Sequence, residues 1–510
     1  MRRAAAGVAV ALALVVPAVA HASAVLDAAT ARRGITLALK HHWLKPADAQ
    51  RYRATVGRAL HAANTLAPLR ANTVASQLAQ LTPLWDSYTA PRALSLFSQV
   101  DANVAYLETH RLPDTRIDIS DDDGVVYRWF PRLGFEFHPL ANFGALNNDV
   151  ASSNVDSTRA LADALLARAV PHGSRLIWEY QFRYGIGRPP WASGMAQAVA
   201  AQALARSSIL LEDPSLGAAA VRAFASVPPF LLSLPSGPWI RLYGFNGEVV
   251  LNAQLQSIVS LLDYATTSGN TAASALAQQL TATAEKLFPR FDTGDWSRYE
   301  LGGGYAPRDY QKFVTDLLAK LAKQTGDPFW VETAQRFHAY YYDPPQVTQP
   351  APTPEIWPQP LDGYLDVAPI QISLSMRASV TLAVGGNVAT YRLNPGTRTL
   401  TWKPPAGLPA GTYPVQVSAV SYAGHRKTFT LAPLVVGWDT SPPQLTNTSL
   451  SGTTLTWEAN DPGTPWLQLA IDLVDPANVN LPQTLNLGQL PPLSGTVQTT
   501  QVAIPPLRSA

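Results

Sequence analysis

The hydrophobic period of this chain changes once, and the change falls at a proline-rich stretch. Residues 347–360 read VTQPAPTPEIWPQP. Ahead of it apolar residues recur at helical spacing; behind it they alternate. A chain with such a break cannot build one core from one kind of element. It must divide into a helical part and a β part joined by a stiff linker, and 510 residues are enough for two to four domains.

In the helical part, HHWLKPADAQRYRATVGRALHAANTLAPL carries a start signal at Lys45–Pro46–Ala47–Asp48. ANTVASQLAQLTPLWDSYT and PRALSLFSQVDANVAYLETHRL continue the pattern, punctuated by Pro83, Pro91 and Pro113. TRIDISDDDGVVYRWFPRLGFEFHPL then places two strand-like runs around an Asp123–Gly124 turn. From 153 to 341 the helical pattern returns, with Asp156 as a candidate cap for NVDSTRALADALLARAV. The small residues of WASGMAQAVAAQALARSSILL predict close helix–helix packing.

These patterns predict a multidomain, mainly α chain. The helical part is expected to be an α/α toroid, an incomplete six-hairpin barrel, with a loose helical bundle as the alternative. The strands ASVTLAVGG, VATYRLNP, TRTLTWKPP, GTYPVQVSAVSYAG and KTFTLAPLVVG predict an Ig-like β-sandwich. The expected boundaries are an export signal at 1–24, a helical region at 25–114, the toroid with a short hairpin at its start at 115–346, a linker at 347–361, the sandwich at 362–438 and a second β region at 439–510.

Composition narrows the function. Two arginines precede the apolar run of MRRAAAGVAVALALVVPAVAHASA, with small residues at two cleavage points, which reads as a secretory signal. No other stretch resembles a membrane span. The chain has no cysteine, so disulfides, cysteine nucleophiles and thiolate metal sites are excluded. Net charge is +2 and no dense Lys/Arg run occurs, which argues against nucleic acid as partner. There is no HExxH, GxSxG or P-loop. DISDDDG at 118–124 has the acids of a calcium loop but lacks the spacing and final glutamate of an EF-hand; a solvated turn is the plainer reading.

The loops are richer in chemistry. DTGDWSRYELGGGYAPRDY (292–310) holds Tyr299, Tyr305 and Tyr310; Tyr243 lies in GPWIRLYGFNGEVVLN. Trp129, Trp178, Tyr180, Tyr184, Trp191, Trp239 and Trp296 sit in or beside similar loops. Rings beside Arg and Asn suit a sugar cleft, where they cover apolar sugar faces while polar groups orient hydroxyls and carboxylates; the plain alternative is that they cement the loops. A phenol is a proton donor at neutral pH and becomes a base only with positive neighbours or hydrogen bonds. Arg241, Arg298 and Arg308 stand within a few residues of the candidate tyrosines, and Arg183, Arg188 and Lys312 can add to their field. Glu136, Glu179, Glu248, Asp292 and Asp295 are the acids in polar or aromatic settings.

PPWASGMAQAVAAQALARSSILL, WIRLYGFNGEVVLNAQLQSIVSLLDYATTSG, LFPRFDTGDWSRYEL and RDYQKFVTDLLAKLAKQTGD, in that order, resemble the C-terminal catalytic domain of D-glucuronyl C5-epimerases. GFEFHPLANFGALNN resembles the lead-in to that domain. The resemblance implies an α/α fold and inversion of C5 of a hexuronate within a polysaccharide, D-glucuronate to L-iduronate, without a nucleotide cofactor. It implies tyrosine chemistry: the loop tyrosine before VLN is Tyr243, the one after DTG is Tyr299, and that of the DY segment is Tyr310. Removing the C5 proton beside a carboxylate makes an enediolate that donors must neutralise, and inversion needs a second donor on the opposite face. On this reading Tyr243 and Tyr310 transfer protons and Tyr299 is a further acid–base or orienting group. Arg183, Arg188 and Arg241 are candidates for the substrate carboxylate. Tyr180, Trp191, Asn252, Arg298, Arg308 and Tyr305 are further substrate contacts. Leu242 stands where the family commonly has an acid, and Gln311 where it has a histidine. A uronate polysaccharide lyase and a non-catalytic glycan-binding or cell-envelope protein are the competing functions.

Overall fold

The computed structural model describes residues 6–359, 361, 363–461, 468–475, 478–489 and 498–503. The start of the expected export signal and parts of the second β region, 439–510, lie outside these residues. The chain divides into two compact units, Met1–Phe337 and His338–Ala510.

The first unit opens with helices α1 (Ala6–Lys40), α2 (Pro46–Thr65), α3 (Pro68–Leu81) and α4 (Ala90–Thr109). Proline in the first turn starts α2, α3 and α4, where its missing N–H leaves no hydrogen bond unmade. Ala28, Ile35, Val56, Leu78 and Phe97 meet in a dry cluster between these helices, and Ala24, at the expected cleavage point, is buried in it. Among the described residues no helix is long and apolar enough to cross a membrane.

A small antiparallel sheet follows, β1 (Asp118–Ser120), β2 (Val126–Phe130) and β3 (Gly134–Phe137), in that spatial order. β3 is an edge strand, and α4 covers it with side-chain amides. Asn103 Oδ1 accepts from the Phe135 N–H at 2.8 Å, and its Nδ2 donates to the Phe135 carbonyl at 2.7 Å. Gln99 Oε1 accepts from the Phe137 N–H at 2.8 Å. Amides of α3 seat Glu136, whose Oε1 accepts from Gln77 and Gln80 at 2.8 Å each, while its Oε2 has no hydrogen-bond partner. Glu136 is fully buried, and desolvation pushes its carboxyl up to about 7.

Beyond the sheet come α5 (Pro139–Ala151), α6 (Val155–Ala167), the hairpin β4 (Val170–His172) with β5 (Arg175–Ile177), α7 (Gly194–Leu210) and α8 (Pro214–Phe224). A second hairpin, β6 (Leu231–Leu234) with β7 (Gly237–Ile240), precedes α9 (Leu251–Ser268), α10 (Thr271–Leu287), α11 (Arg308–Thr325) and α12 (Pro328–Tyr342). The cap of α6 is Asn154, which accepts from the Ser157 N–H, and Asp156 lies in the first turn instead. α5 packs on α7, α7 on α9 and α9 on α11. α7 is buried along nearly its whole length, as its Ala-rich sequence permits.

The second unit is β. β8 (Val347–Thr348), β9 (Ala368–Leu374) and β12 (Gly396–Trp402) form one sheet in the order β12-β9-β8; β10 (Ala378–Val384), β11 (Asn387–Leu393), β13 (Gly411–Val420) and β14 (Arg426–Val436) form another, β11-β10-β13-β14. Burial alternates along β9 and β10, so each strand gives every second side chain to an apolar cluster that includes Ile370, Val380 and Val417. β15 (Gln444–Ser451), β16 (Thr454–Asn460) and β19 (Gln498–Ala503) make a further sheet, and β17 (Gln468–Asp475) pairs with β18 (Asn478–Gln489).

This corrects the expected architecture of a mainly α toroid followed by Ig-like sandwiches. The described residues form a mixed α/β multidomain chain with seven sheets of two to four strands, in both units, and none is closed into a barrel or sandwich. Apart from the expected pair around Asp123–Gly124, periodicity counting misses the strands between 118 and 240 because three or four residues are too few to show alternation. Gly124, Gly173 and Gly237, all at positive φ, lie in or beside the turns of those hairpins.

Candidate functional site

Three loops of the first unit carry the site. The first runs from Trp178 to Trp191. Tyr180 and Trp191 exchange backbone hydrogen bonds at 2.7 and 3.1 Å, and their rings stack 4.1 Å apart. Tyr184 pairs with Gly187 at the tip. A side chain at Gly187 would run into the Phe245 ring, so glycine is what lets the second loop, Trp239–Val250, close against the first. That second loop is also held by Gly194 N–H to the Arg241 carbonyl at 3.0 Å and Gly244 N–H to the Ala192 carbonyl at 2.8 Å.

The third loop, Asp292–Pro307, doubles back on itself. Arg298 and Tyr305 bridge, Gly302 turns at φ +80°, and the Leu251 N–H at the start of α9 donates to the Tyr299 carbonyl at 3.2 Å. Gln311 pins the loop from below: it is fully buried, and its Oε1 accepts from the Ser297 N–H at 2.9 Å and the Ser297 hydroxyl at 2.5 Å. Gln311 thus serves loop structure and does not line the cavities described next, whereas Leu242, the other departure, lines the smaller of them.

The loops and helix ends enclose two neighbouring cavities of about 490 and 690 Å³ that share Tyr184, Tyr243 and Tyr310 as walls. The smaller is also lined by Arg116, Arg128, His138, Tyr180, Trp191, Asn252 and Asp309; the larger by Glu248, Tyr299 and Tyr305. Tyr243 is hydrogen-bonded to both Tyr184 and Tyr299, and the Tyr299 and Tyr310 rings meet edge to face at 5.1 Å.

The phenols stand in different fields. Burial first, then the bond to Tyr299 and that phenol's charge, with Tyr184 adding to them, drives Tyr243 far above the ordinary phenol range. Burial pushes Tyr299 up to about 12, against the bond from Tyr243. Burial also raises Tyr310, opposed by Arg116 and Arg128 and reinforced by Tyr184 and Asp309, and the net shift is upward. Tyr310 is the phenol of the three with guanidinium groups among the causes of its shift.

The structure therefore brings Tyr243, Tyr299, Tyr310, Tyr305, Tyr180, Trp191 and Asn252 to these cavities. Asn252 is 5% exposed and its Oδ1 has no protein partner. Arg183, Arg188 and Arg308 are exposed and line neither cavity. Arg241 braces its own loop by donating to the Asn246 carbonyl at 3.0 Å, and Arg298 donates to the Gly303 carbonyl at 2.6 Å. Trp129, Trp178, Trp239 and Trp296 are core residues. Glu179 is tied by Arg92 at 2.9 Å through both oxygens, away from the cavities, while Glu248 folds round to the wall shared with Tyr243 and Tyr299. Sequence reading passed over Arg116, Arg128, His138 and Asp309. A lone arginine inside the apolar strand run VVYRWF and the histidine of GFEFHPL were the available signals.

Asp118 of the acidic turn chelates Arg128 at 2.7 and 2.8 Å, and Asp121 accepts from the Val125 N–H and the Tyr127 hydroxyl. Among the described residues no group of three or more His, Asp or Glu is placed to hold a metal ion.

Solved structures similar to this chain include an α-mannanase from Bacteroides thetaiotaomicron (13% identity, TM-score 0.31, covering 40% of this chain and 60% of that one). An endoglucanase from Komagataeibacter sucrofermentans (13%, 0.29, 37% and 68%) and an endo-beta-1,4-glucanase from an Achatina fulica gut metagenomic library (13%, 0.31, 45% and 74%) also match. No curated protein matches. Residues 172–339, less than half of the chain, match the family model described as D-glucuronyl C5-epimerase C-terminus.

Proposed function

We propose that the domain inverts C5 of D-glucuronate units within a polysaccharide. The observation that carries this is the convergence of Tyr184, Tyr243, Tyr299 and Tyr310 on shared cavity walls, with the phenols in unequal fields. Tyr310, beside Arg116 and Arg128, acts as the base: as phenolate it takes the C5 proton, and the C–H electron pair passes into the carboxylate to give an enediolate. Tyr243, which burial keeps protonated, returns a proton to C5 from the other face. Tyr299, hydrogen-bonded to Tyr243, refills it from the larger cavity. Asn252 Oδ1 is free to accept a sugar hydroxyl. An export signal at 1–24 would deliver this activity outside the cytoplasm.

Incubation with glucuronate-containing polymers in deuterated water tests the reading. Deuterium entering C5 without chain cleavage, followed by NMR, is the expected result. An ultraviolet-absorbing unsaturated product would indicate a lyase. Binding without exchange across a broad glucuronate panel, in folded protein, would sink the epimerase.

A further inference from the structure

One side chain on the wall of the smaller cavity has its tautomer set by the backbone. His138 follows β3 and caps α5, and its Nδ1 accepts from the Ala141 N–H at 3.1 Å. A ring nitrogen that accepts carries no proton, so the neutral ring holds its hydrogen on Nε2. Among the described residues Nε2 takes no hydrogen bond from the protein, and the ring lines the cavity. Phe130 stacks on it at 6.2 Å and Tyr180 meets it edge-on at 5.3 Å, which restrains its rotation. The titratable and charged groups facing it are Arg128, Asp118, Arg116 and the Tyr180 phenol. Burial, with Arg128 second, holds the imidazole down at about 3, so it is uncharged at ordinary pH.

Two arginines stand beside it. Arg128 spends Nε and Nη2 on Asp118, which leaves Nη1; Arg116 lies 3.7 Å from Asp309. The charged side chains lining the cavity are these two arginines against Asp309 alone, a balance that favours an anion.

We propose that the His138 Nε2–H, together with Arg128 and Arg116, forms a carboxylate-binding corner that seats the uronate C6 carboxylate beside Tyr310. This rests on the uronate reading above. It replaces the exposed Arg183 and Arg188 and the loop-bracing Arg241 as the carboxylate contact. A neutral N–H donor gains strength as charge builds on the carboxylate and adds no charge that must be desolvated at rest.

The test uses the full chain, labelled with ¹⁵N-histidine, titrated with sodium D-glucuronate and, separately, with glucose. His138→Asn identifies the resonance: asparagine keeps the helix cap but is too short to reach the Nε2 position. His138→Gln does the reverse. The expected spectrum shows the proton on Nε2, no titration between about pH 5 and 8, and a shift of that proton with glucuronate but not glucose. Affinity for glucuronate should fall about tenfold in His138→Asn, at an unchanged thermal midpoint, and recover in part in His138→Gln. A proton on Nδ1, an ordinary histidine titration, or no response to glucuronate would overturn the proposal, as would an equal response to glucose. Glucuronate-specific shifts in a protein that shows no C5 exchange would uphold the corner and defeat the epimerase instead.

Discussion

The seat of Glu136 and the tyrosine cavity both hold ionisable groups out of water, and in both burial is the leading cause of the pKa shift. They differ in what is left over. Around Glu136, amides from α3 meet one carboxylate oxygen and amides from α4 meet the strand edge, and the residue lines neither of the two tyrosine cavities. Around the tyrosines, phenols on three loop segments bond mainly to one another and face open volume on a sugar's scale. A perturbed pKa alone therefore does not mark a working site. Unspent hydrogen-bonding capacity beside a cavity does.

Substitutions can break or sharpen that contrast. The largest effect is expected from Tyr310→Phe, which removes the base: C5 exchange should fall by about a thousandfold or more, read by deuterium incorporation, while the unfolding midpoint stays near that of the parent. Loss of exchange together with loss of fold would place Tyr310 with the packing residues. Next is Glu136→Gln, which should leave exchange unchanged and raise stability at neutral pH. The sign follows from the raised pKa. Below the ordinary carboxyl value both states are protonated; between that value and about 7 the folded state binds the extra proton, so stability falls as pH rises through this window. The amide cannot ionise and should flatten the fall, a difference on the order of 3 kcal/mol above about pH 7, measured by denaturant unfolding across pH. A third variant, Gln311→Ala, removes the acceptor for two Ser297 donors and should cost about 2 kcal/mol with loosened Tyr299 and reduced exchange. Full exchange at reduced stability would separate the loop's architecture from its chemistry. The smallest effect is expected from Arg183→Ala with Arg188→Ala: exposed and outside both cavities, they should change stability by less than about 0.5 kcal/mol and leave exchange near the parent rate.

Much of the site was legible because its phenols cluster in sequence. Tyr299 lies in the Asp292–Pro307 loop and Tyr310 in the first turn of α11 just after it, and Tyr243 leads into α9, whose first N–H the loop caps. The carboxylate corner was not legible, since Arg116, Arg128 and His138 arrive from the lead-in, more than a hundred residues away from Tyr243 in sequence. Proximity in sequence instead favoured Arg241 and Arg298, whose guanidinium groups each donate to a nearby carbonyl and line neither cavity. The fold class failed for a related reason. Helices of 11 to 20 residues announce their period, whereas hairpins such as β4–β5 are three residues a strand and are fixed by turns and tertiary packing. Gln311 shows the opposite error. A residue picked out by its departure from a pattern proved to be an anchor for the Ser297 turn.

The amide row along β3 also bears on how this domain is to be handled. Asn103 and Gln99 occupy the hydrogen-bonding positions that a neighbouring strand would take. A fragment begun between α4 and β3 loses those amides and uncovers donors and acceptors at Phe135 and Phe137. Exposed edges of this kind recruit strands from other copies. Such fragments should self-associate through that edge, and soluble, monodisperse material should require the chain from the N-terminal helices onward.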